Sequence, residues 1–478
     1  MIPVAGVSLL TATVLTLAVS LGAPASLTWG TGLALALYIL SVWGRMRRAA
    51  RFYILAAIAA SALAAAVGKL DPEALRRAIA AMGFVATLFV SFGVLREAAL
   101  TSPLVRRCGR FLAHRPPGWR YLALTLGGHL FGMILNFGVI PLLGTMVTEG
   151  TRAADHPEED ADQARRATVR RLRMTQAIHR GFAATLTWSP LTVSLAVILT
   201  ALPSLSWSAA APAMLGAATG FVAIGWVMDR FSRARLRVAP PPASPEEDQG
   251  SWALVLPVLA LVAAILGVGW LMEEVLGIRL VIGVMLFVPL LAAAWIVLQD
   301  SAVLGFGLAL SDTATRLGHY VRDTLPAYNG ELAIVGSASF IGGVVTGLLH
   351  ADAVPGLLAG IGLPSWALMA IVPWLAIAFG QIGMSPVLAI SLLAAAIPSP
   401  ESLGLPAPVM AVTYSGSWAL MAASSPFTAA VALSARVATA PGRPVGAAAF
   451  GARDNGGFTV VCALALSLYV IALTRLMA

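Results

Sequence analysis

The sequence predicts an all-α polytopic membrane protein, with about eleven transmembrane helices plus two re-entrant hairpins in two inverted-topology repeats. Three observations carry this expectation. The 478 residues are 59% hydrophobic and 11% charged, with mean hydropathy +0.86, whereas soluble domains carry roughly 25% charged residues. Apolar runs recur from the first residues to the last. Finally, matched polar interruptions occur in two halves of the chain. Asn136-Phe-Gly-Val-Ile-Pro-Leu-Leu143 aligns without gaps on Gln381-Ile-Gly-Met-Ser-Pro-Val-Leu388, and Trp188-Ser-Pro-Leu-Thr192 on Ser424-Ser-Pro-Phe-Thr428. Inside a bilayer such breaks persist only where protein, water or solute satisfies the freed backbone groups.

Taken in order, the predicted spans are 3–22, 26–44, 52–68, 79–96, 175–203, 209–228, 252–272, 278–298, 328–349, 405–435 and 456–476. Residues 1–25 form an N-terminal transmembrane helix; its run Ile2 to Gly22 lacks a basic n-region and reads as a retained helix, not a signal peptide. Residues 26–238 form the first repeat, with hairpin 119–148 and broken helix 175–203. Residues 239–251 are a Pro-rich linker. Residues 252–478 form the second repeat, with hairpin 364–398 and broken helix 405–435. Segment 175–203 would be about 43 Å long as one helix at ~1.5 Å per residue, against a ~30 Å hydrocarbon core, so it must tilt or break.

Positive charge sets the orientation. Arg45, Arg47, Arg48 and Arg51 place the loop after the second span, and the N-terminus, in the cytoplasm. Arg96 to Arg120 and Arg152 to Arg173 place both flanks of 119–148 inside, so that segment must enter the membrane and return. The 204–208 and 399–404 connections lack Lys and Arg and fall outside, which makes 364–398 a hairpin entering from the opposite face. Loop 69–77, with Lys69, Arg76 and Arg77, is placed outside against this rule. Arg106, Arg107 and Arg110 predict a cytoplasmic interfacial arm, and Ser102-Pro-Leu-Val has its counterpart in Val354-Pro-Gly-Leu. The expected localisation is the bacterial cytoplasmic membrane.

The candidate binding residues follow from the breaks. At the tips, Asn136 and Gly138 stand opposite Gln381, Gly383 and Ser385. Their carbonyls suit a dehydrated Na⁺, and their N–H groups and helix N-termini suit an anion. In the broken helices, Ser189 and Thr192 recur as Ser425 and Thr428; these hydroxyls either re-satisfy the carbonyl that Pro frees or face a solute. His129 is a candidate proton or substrate site, or a histidine bonded to a neighbouring helix. His179 and Arg180 are expected to snorkel, and Glu331 to sit at the interface.

Other classes are disfavoured. The formal charge of +9 comes from short Arg clusters between apolar runs, a membrane pattern and not a nucleic-acid one. Cys108 and Cys462 form no metal or redox motif. There is no HExxH, P-loop or dinucleotide motif, and a nucleophilic Ser189 or Ser425 would have only His129 or His179 as a base. The expectation is no enzyme, no resident cofactor and no nucleic-acid partner.

The inverted repeats, interfacial arms, and hairpins followed by Pro-broken helices resemble the ion transporter superfamily from about residue 26 to the end. In layout they are most similar to the divalent anion:sodium symporters and arsenite-permease-like carriers. Those proteins carry Ser-Asn-Thr at the tips and Thr-Pro turns in the broken helices. Asn136 and Gln381 stand at the tip motifs here, and Ser189-Pro190 and Ser425-Pro426 at the turns. Neither tip reads Ser-Asn-Thr, so the architecture transfers further than the substrate does. The resemblance implies a Na⁺- or H⁺-coupled elevator carrier of a small anionic solute, working as a homodimer in membrane lipid. A cation/proton antiporter, a metalloid-anion exporter and the membrane subunit of a binding-protein-dependent tripartite carrier are the alternatives.

Overall fold

The computed structural model describes residues 4–113, 115–155, 161–236, 251–348, 363–440 and 443–477. Among these residues the regular elements are helices, apart from an isolated bridge between Ala440 and Arg443. Nine of the helical stretches are long and apolar enough to cross a membrane, so the chain is a multi-pass helical membrane protein. Eight of the nine fall on predicted spans and the ninth, Trp119–Glu149, on the predicted hairpin 119–148. Of the predicted spans 3–22, 175–203 and 328–349, the first and last give shorter apolar helices, and the second is divided between a helix ending at Thr185 and a nine-residue helix from Val193.

The first part of the chain comprises α1 (Val4–Ser20), α2 (Leu27–Val42), α3 (Arg48–Ala66) and α4 (Pro72–Thr101). Helix α4 begins seven residues before the predicted 79, because the Asp71 side chain accepts from Ala74 N–H and Pro72 occupies the first turn. That capping signal is invisible to a hydropathy window. Next come α5 (Pro103–Ala113), α6 (Pro117–Leu135), α7 (Val139–Glu149), α8 (Ala161–Thr185), α9 (Val193–Ala201) and α10 (Trp207–Leu236). Helix α5 covers the stretch expected as an arm, with Arg106, Arg107 and Arg110 exposed and Val105, Cys108 and Phe111 buried.

The second half contains α11 (Leu256–Leu276), α12 (Leu280–Leu304), α13 (Phe306–His319), α14 (Asn329–Leu348), α15 (Ser365–Gln381), α16 (Pro386–Ala396), α17 (Ala407–Ser424), α18 (Ala429–Ala438) and α19 (Gly456–Met477). Helix α13 was not expected. It follows Gly305, at φ +80°, and is too short and polar for a hydropathy search; Arg316 pairs with Asp300 at 3.0 Å while Phe306, Leu308 and Leu310 lie exposed. Residues 239–250 and the 354–357 arm lie outside the described residues.

Packing divides these helices into two groups. Helices α1–α4 and α11–α14 form one body, centred on α4 against α12 and α14, with α3 on α14 and α1 on α2. Helices α6–α10 and α15–α19 form the other. Within the second body α6 packs on α8, and α15 on α17. Between halves, α7 packs on α18, and α16 on α9. The same relation therefore appears twice with the halves exchanged.

Segments 119–148 and 364–398 each fold back on themselves. Gly127 of α6 has both Leu112 of α5 and Leu143 of α7 beside it, at 2.8 and 3.4 Å from where a Cβ would stand. A straight helix would separate residues 127 and 143 by about 24 Å at 1.5 Å per residue. In the second case Ser365 Oγ, at the start of α15, donates to the carbonyl of Leu403, just beyond α16, at 2.7 Å.

Candidate functional site

The two broken helices contain the same turn. Helix α8 ends at Thr185, and Pro190 cannot donate to the Leu186 carbonyl four residues back. Ser194 Oγ supplies that bond at 2.6 Å. Pro426 likewise leaves the Ala422 carbonyl, which Thr428 Oγ1 reaches at 3.4 Å. Ser189 Oγ accepts from Leu191 N–H at 3.3 Å and Ser425 Oγ accepts from Phe427 N–H at 3.4 Å. Thr192 Oγ1 donates to the Ser189 carbonyl at 2.7 Å, and Thr428 Oγ1 to the Ser425 carbonyl at 3.0 Å. A Ser-Pro-x-Thr turn is thus built twice by the same bonds. Its threonine hydroxyls spend their protons on the chain, which leaves lone pairs and backbone groups as what they can offer a solute.

Each turn seats on the hairpin of its own half. Ser425 Oγ donates to the Gly380 carbonyl at 2.7 Å, and Gln381 Nε2 to Ser424 Oγ at 3.3 Å. In the first half, Thr185 Oγ1 donates to the His129 carbonyl at 2.9 Å, and Trp188 Nε1 donates to His129 Nε2 at 3.0 Å with the rings stacked. An indole N–H only donates, so His129 carries its proton on Nδ1 while this bond is made. The histidine is bonded to a neighbouring helix, and that helix is the one that breaks.

The tips differ in backbone detail. Asn136, at φ +53° and ψ −140°, is the one non-glycine residue with positive φ among the described residues, outside the left-handed helical region where Asn is common and in one that residues with a Cβ rarely adopt. Its Oδ1 accepts from Phe137 N–H at 2.9 Å. Gln381, its counterpart in sequence, ends α15 with the reversal two residues later at Gly383, φ +97°. Ser385 caps α16 through Leu388 N–H at 3.3 Å, ahead of Pro386. Gly138 has ordinary φ; it is small because Arg96 Nε would lie 3.3 Å from a Cβ there.

The structure thus joins His129 to the first turn through Thr185 and Trp188 and sets Asn136 on a cleft with Leu191 and Val193, the residues flanking Thr192. Gly138 lies beside Arg96, and in the second half Gln381 meets Ser424, Ser425 meets Gly380 and Gly383 lies against Phe427. His179 bridges the halves: Nε2 lies 3.1 Å from the Ala423 carbonyl and Nδ1 2.9 Å from Ser434 Oγ. The snorkelling expected of His179 and Arg180 is overturned, since both are buried. Arg180 donates to Asn455 Oδ1 at 2.9 Å and to Tyr121 Oη at 3.0 Å, and its guanidinium lies over the Phe458 ring. Partners some 275 residues away in sequence make the interior affordable to the charge. Glu331, expected at an interface, is half-buried in the first turn of α14 beside Arg96. Two groups were missed, Arg96 and Tyr328, which line a cleft with Asn136. Arg96 was counted as a loop charge; its position within α4 is the signal that would have marked it. No group of three metal-ligating side chains occurs among the described residues.

No protein-family model matches the sequence, and no curated protein matches it. By structure the chain is similar to a protein described as a transporter. That protein is the YdaH transporter of Alcanivorax borkumensis, whose crystal structure reveals an unusual topology. The likeness has a TM-score of 0.52 over 90% of this chain and 97% of that one, at 16% identity. It shows a shared fold.

Proposed function

We propose that this protein is a secondary active transporter moving a small anionic solute across a membrane by an elevator motion coupled to Na⁺ or H⁺. The observation that carries this reading is the Ser-Pro-x-Thr turn built by the same bonds in both halves, each seated on the hairpin of its half. Paired helix breaks in corresponding positions are where transporters bind substrate and coupling ion. The fold shared with a protein described as a transporter points the same way.

In this reading the hairpins are re-entrant from opposite faces, and the body of α6–α10 and α15–α19 moves. The body of α1–α4 and α11–α14 stays fixed and forms the homodimer contact. Carbonyls at the tips near Asn136 and Gln381 receive Na⁺, or His129 takes up the coupling proton. Protonation of Nε2 would end its acceptor role toward Trp188, which links the proton to the first turn. The N-terminus is cytoplasmic and the membrane is the bacterial cytoplasmic membrane.

Proteoliposomes holding the purified protein test the proposal. Uptake of at least one radiolabelled organic or inorganic anion should depend on an imposed Na⁺ or H⁺ gradient, and Asn136→Ala should reduce it about tenfold or more, the ~1.4 kcal/mol equivalent of one hydrogen bond. Gradient-independent leakage, equal in empty liposomes, would contradict it.

A further inference from the structure

A narrow cleft of about 40 Å³ lies where α4 of the first body meets the first hairpin tip and the start of α9. Its walls are apolar and aromatic, with Phe89, Phe92 and Met133 among them. Three polar side chains converge on it: Arg96, Asn136 and Tyr328. Arg96 Nε is buried without a hydrogen-bond partner among the described residues. Gly138 on one side leaves room for its guanidinium, and Gly93 on the other for the hydroxyls of Tyr320 and Tyr328, which would stand 2.2 and 2.6 Å from a Cβ there.

Helix ends add to this positive character. Helix α9 starts at the cleft wall with Val193, and Thr192 makes no side-chain cap to it, although the corresponding Thr428 caps α18 through Val431 N–H at 3.4 Å. The first N–H groups of α9 therefore lack the cap that its counterpart has. Glu331 and Glu97 supply negative charge nearby, and neither lines the cleft.

From this arrangement we infer that the cleft is an oxyanion site: Arg96 holds a carboxylate-like group, Tyr328 and Asn136 add hydrogen bonds, and the aromatic wall takes an apolar body. A planar guanidinium with an idle N–H matches a two-oxygen anion. The inference deepens the transport reading and rests on it for the anion's role as cargo. It also places one ligand contact on α4, in the body that stays fixed, so that motion of the hairpin tip away from Arg96 would weaken the hold on the anion.

The test measures thermal shift of purified protein in neutral detergent against benzoate, octanoate, benzenesulfonate and phenyl phosphate, with benzamide as the uncharged control. A second arm uses nanodiscs with and without phosphatidylglycerol, which offers the same oxyanion as a lipid headgroup. A saturable shift with a soluble probe but not with benzamide, weakened about tenfold or more in Arg96→Gln, is the expected result. A shift dependent on Arg96 with phosphatidylglycerol alone assigns the same site to lipid. If Arg96→Gln does not fold, Tyr328→Phe decides, with weaker binding expected. Binding unchanged in the variants, or no response dependent on these residues in either arm, overturns the inference. Flux separates the two proposals. Arg96-dependent binding without gradient-driven flux in the wild type keeps the oxyanion site and removes the transport reading. Flux with unchanged binding in Arg96→Gln does the reverse.

Discussion

Gly181→Leu should leave the protein unable to reach a monodisperse folded state in detergent. A Cβ at Gly181 would stand 2.0 Å from the Thr125 carbonyl oxygen, and one at the facing Gly128 2.3 Å from the Ile178 carbonyl oxygen. Both obstacles are backbone, so no rotamer change relieves them, and α6 and α8 would have to part. Small residues at such crossings are what let membrane helices pack closely. Overpacking in a core costs about 1–3 kcal/mol where side chains can shift, and here the cost should exceed about 3 kcal/mol. Because α6 also carries His129 and α8 runs into the first turn, the damage would reach the site. Gly267→Leu is the matched control: nothing lies within 4 Å of that position, and its effect should stay within about 0.5 kcal/mol. Fluorescence-detected size exclusion and the melting temperature report both. A wild-type melting temperature in Gly181→Leu would show that the two helices do not meet backbone to backbone.

Ser425→Ala should have the largest functional effect for the smallest structural change. The hydroxyl is fully buried, donates to Gly380 and accepts from Phe427 N–H. It therefore joins the second turn to the second hairpin at the residue preceding Gln381. Its loss costs about 1 kcal/mol, because the Gly380 carbonyl loses its 2.7 Å donor and keeps only the 3.3 Å bond from Gly383 N–H. In a chain of this size that is a shift of a few degrees. Gradient-driven flux, by contrast, should fall about tenfold or more, since ~1.4 kcal/mol of misplacement at a binding constellation is already a factor of ten. Wild-type flux in a folded Ser425→Ala protein would remove the turn from the site.

What the sequence revealed depended on the range of each interaction. Apolar runs and their Pro and Gly interruptions are local, so α2, α10, α12, α17 and α19 stand close to where hydropathy put them. The matched Ser-Pro-x-Thr segments were legible as a repeat, and their bonds proved local too: every hydroxyl of the turn except Ser425 is bonded within eight residues. Arg180 and His179 were misjudged because Asn455, Ala423 and Ser434 come from the other half of the chain, and no spacing rule announces such partners. Arg96 was hidden by its company among loop arginines. The tips were legible as positions but not as backbones: the reversal sits on Asn136 in one and on Gly383 in the other, a two-residue offset that an ungapped alignment cannot show.

A reversible cross-link between the two bodies tests most directly whether one moves against the other. Gly342 on α14 and Ser391 on α16 meet closely, with 2.8 Å between the position of a Gly342 Cβ and that of Ser391. A separation of about 1 Å therefore gives disulfide geometry. In a background with Cys108 and Cys462 replaced, the Gly342→Cys/Ser391→Cys protein should lose gradient-driven flux when oxidised and regain it on reduction. Undiminished flux in the fully cross-linked protein would contradict an elevator motion of the second hairpin past α14.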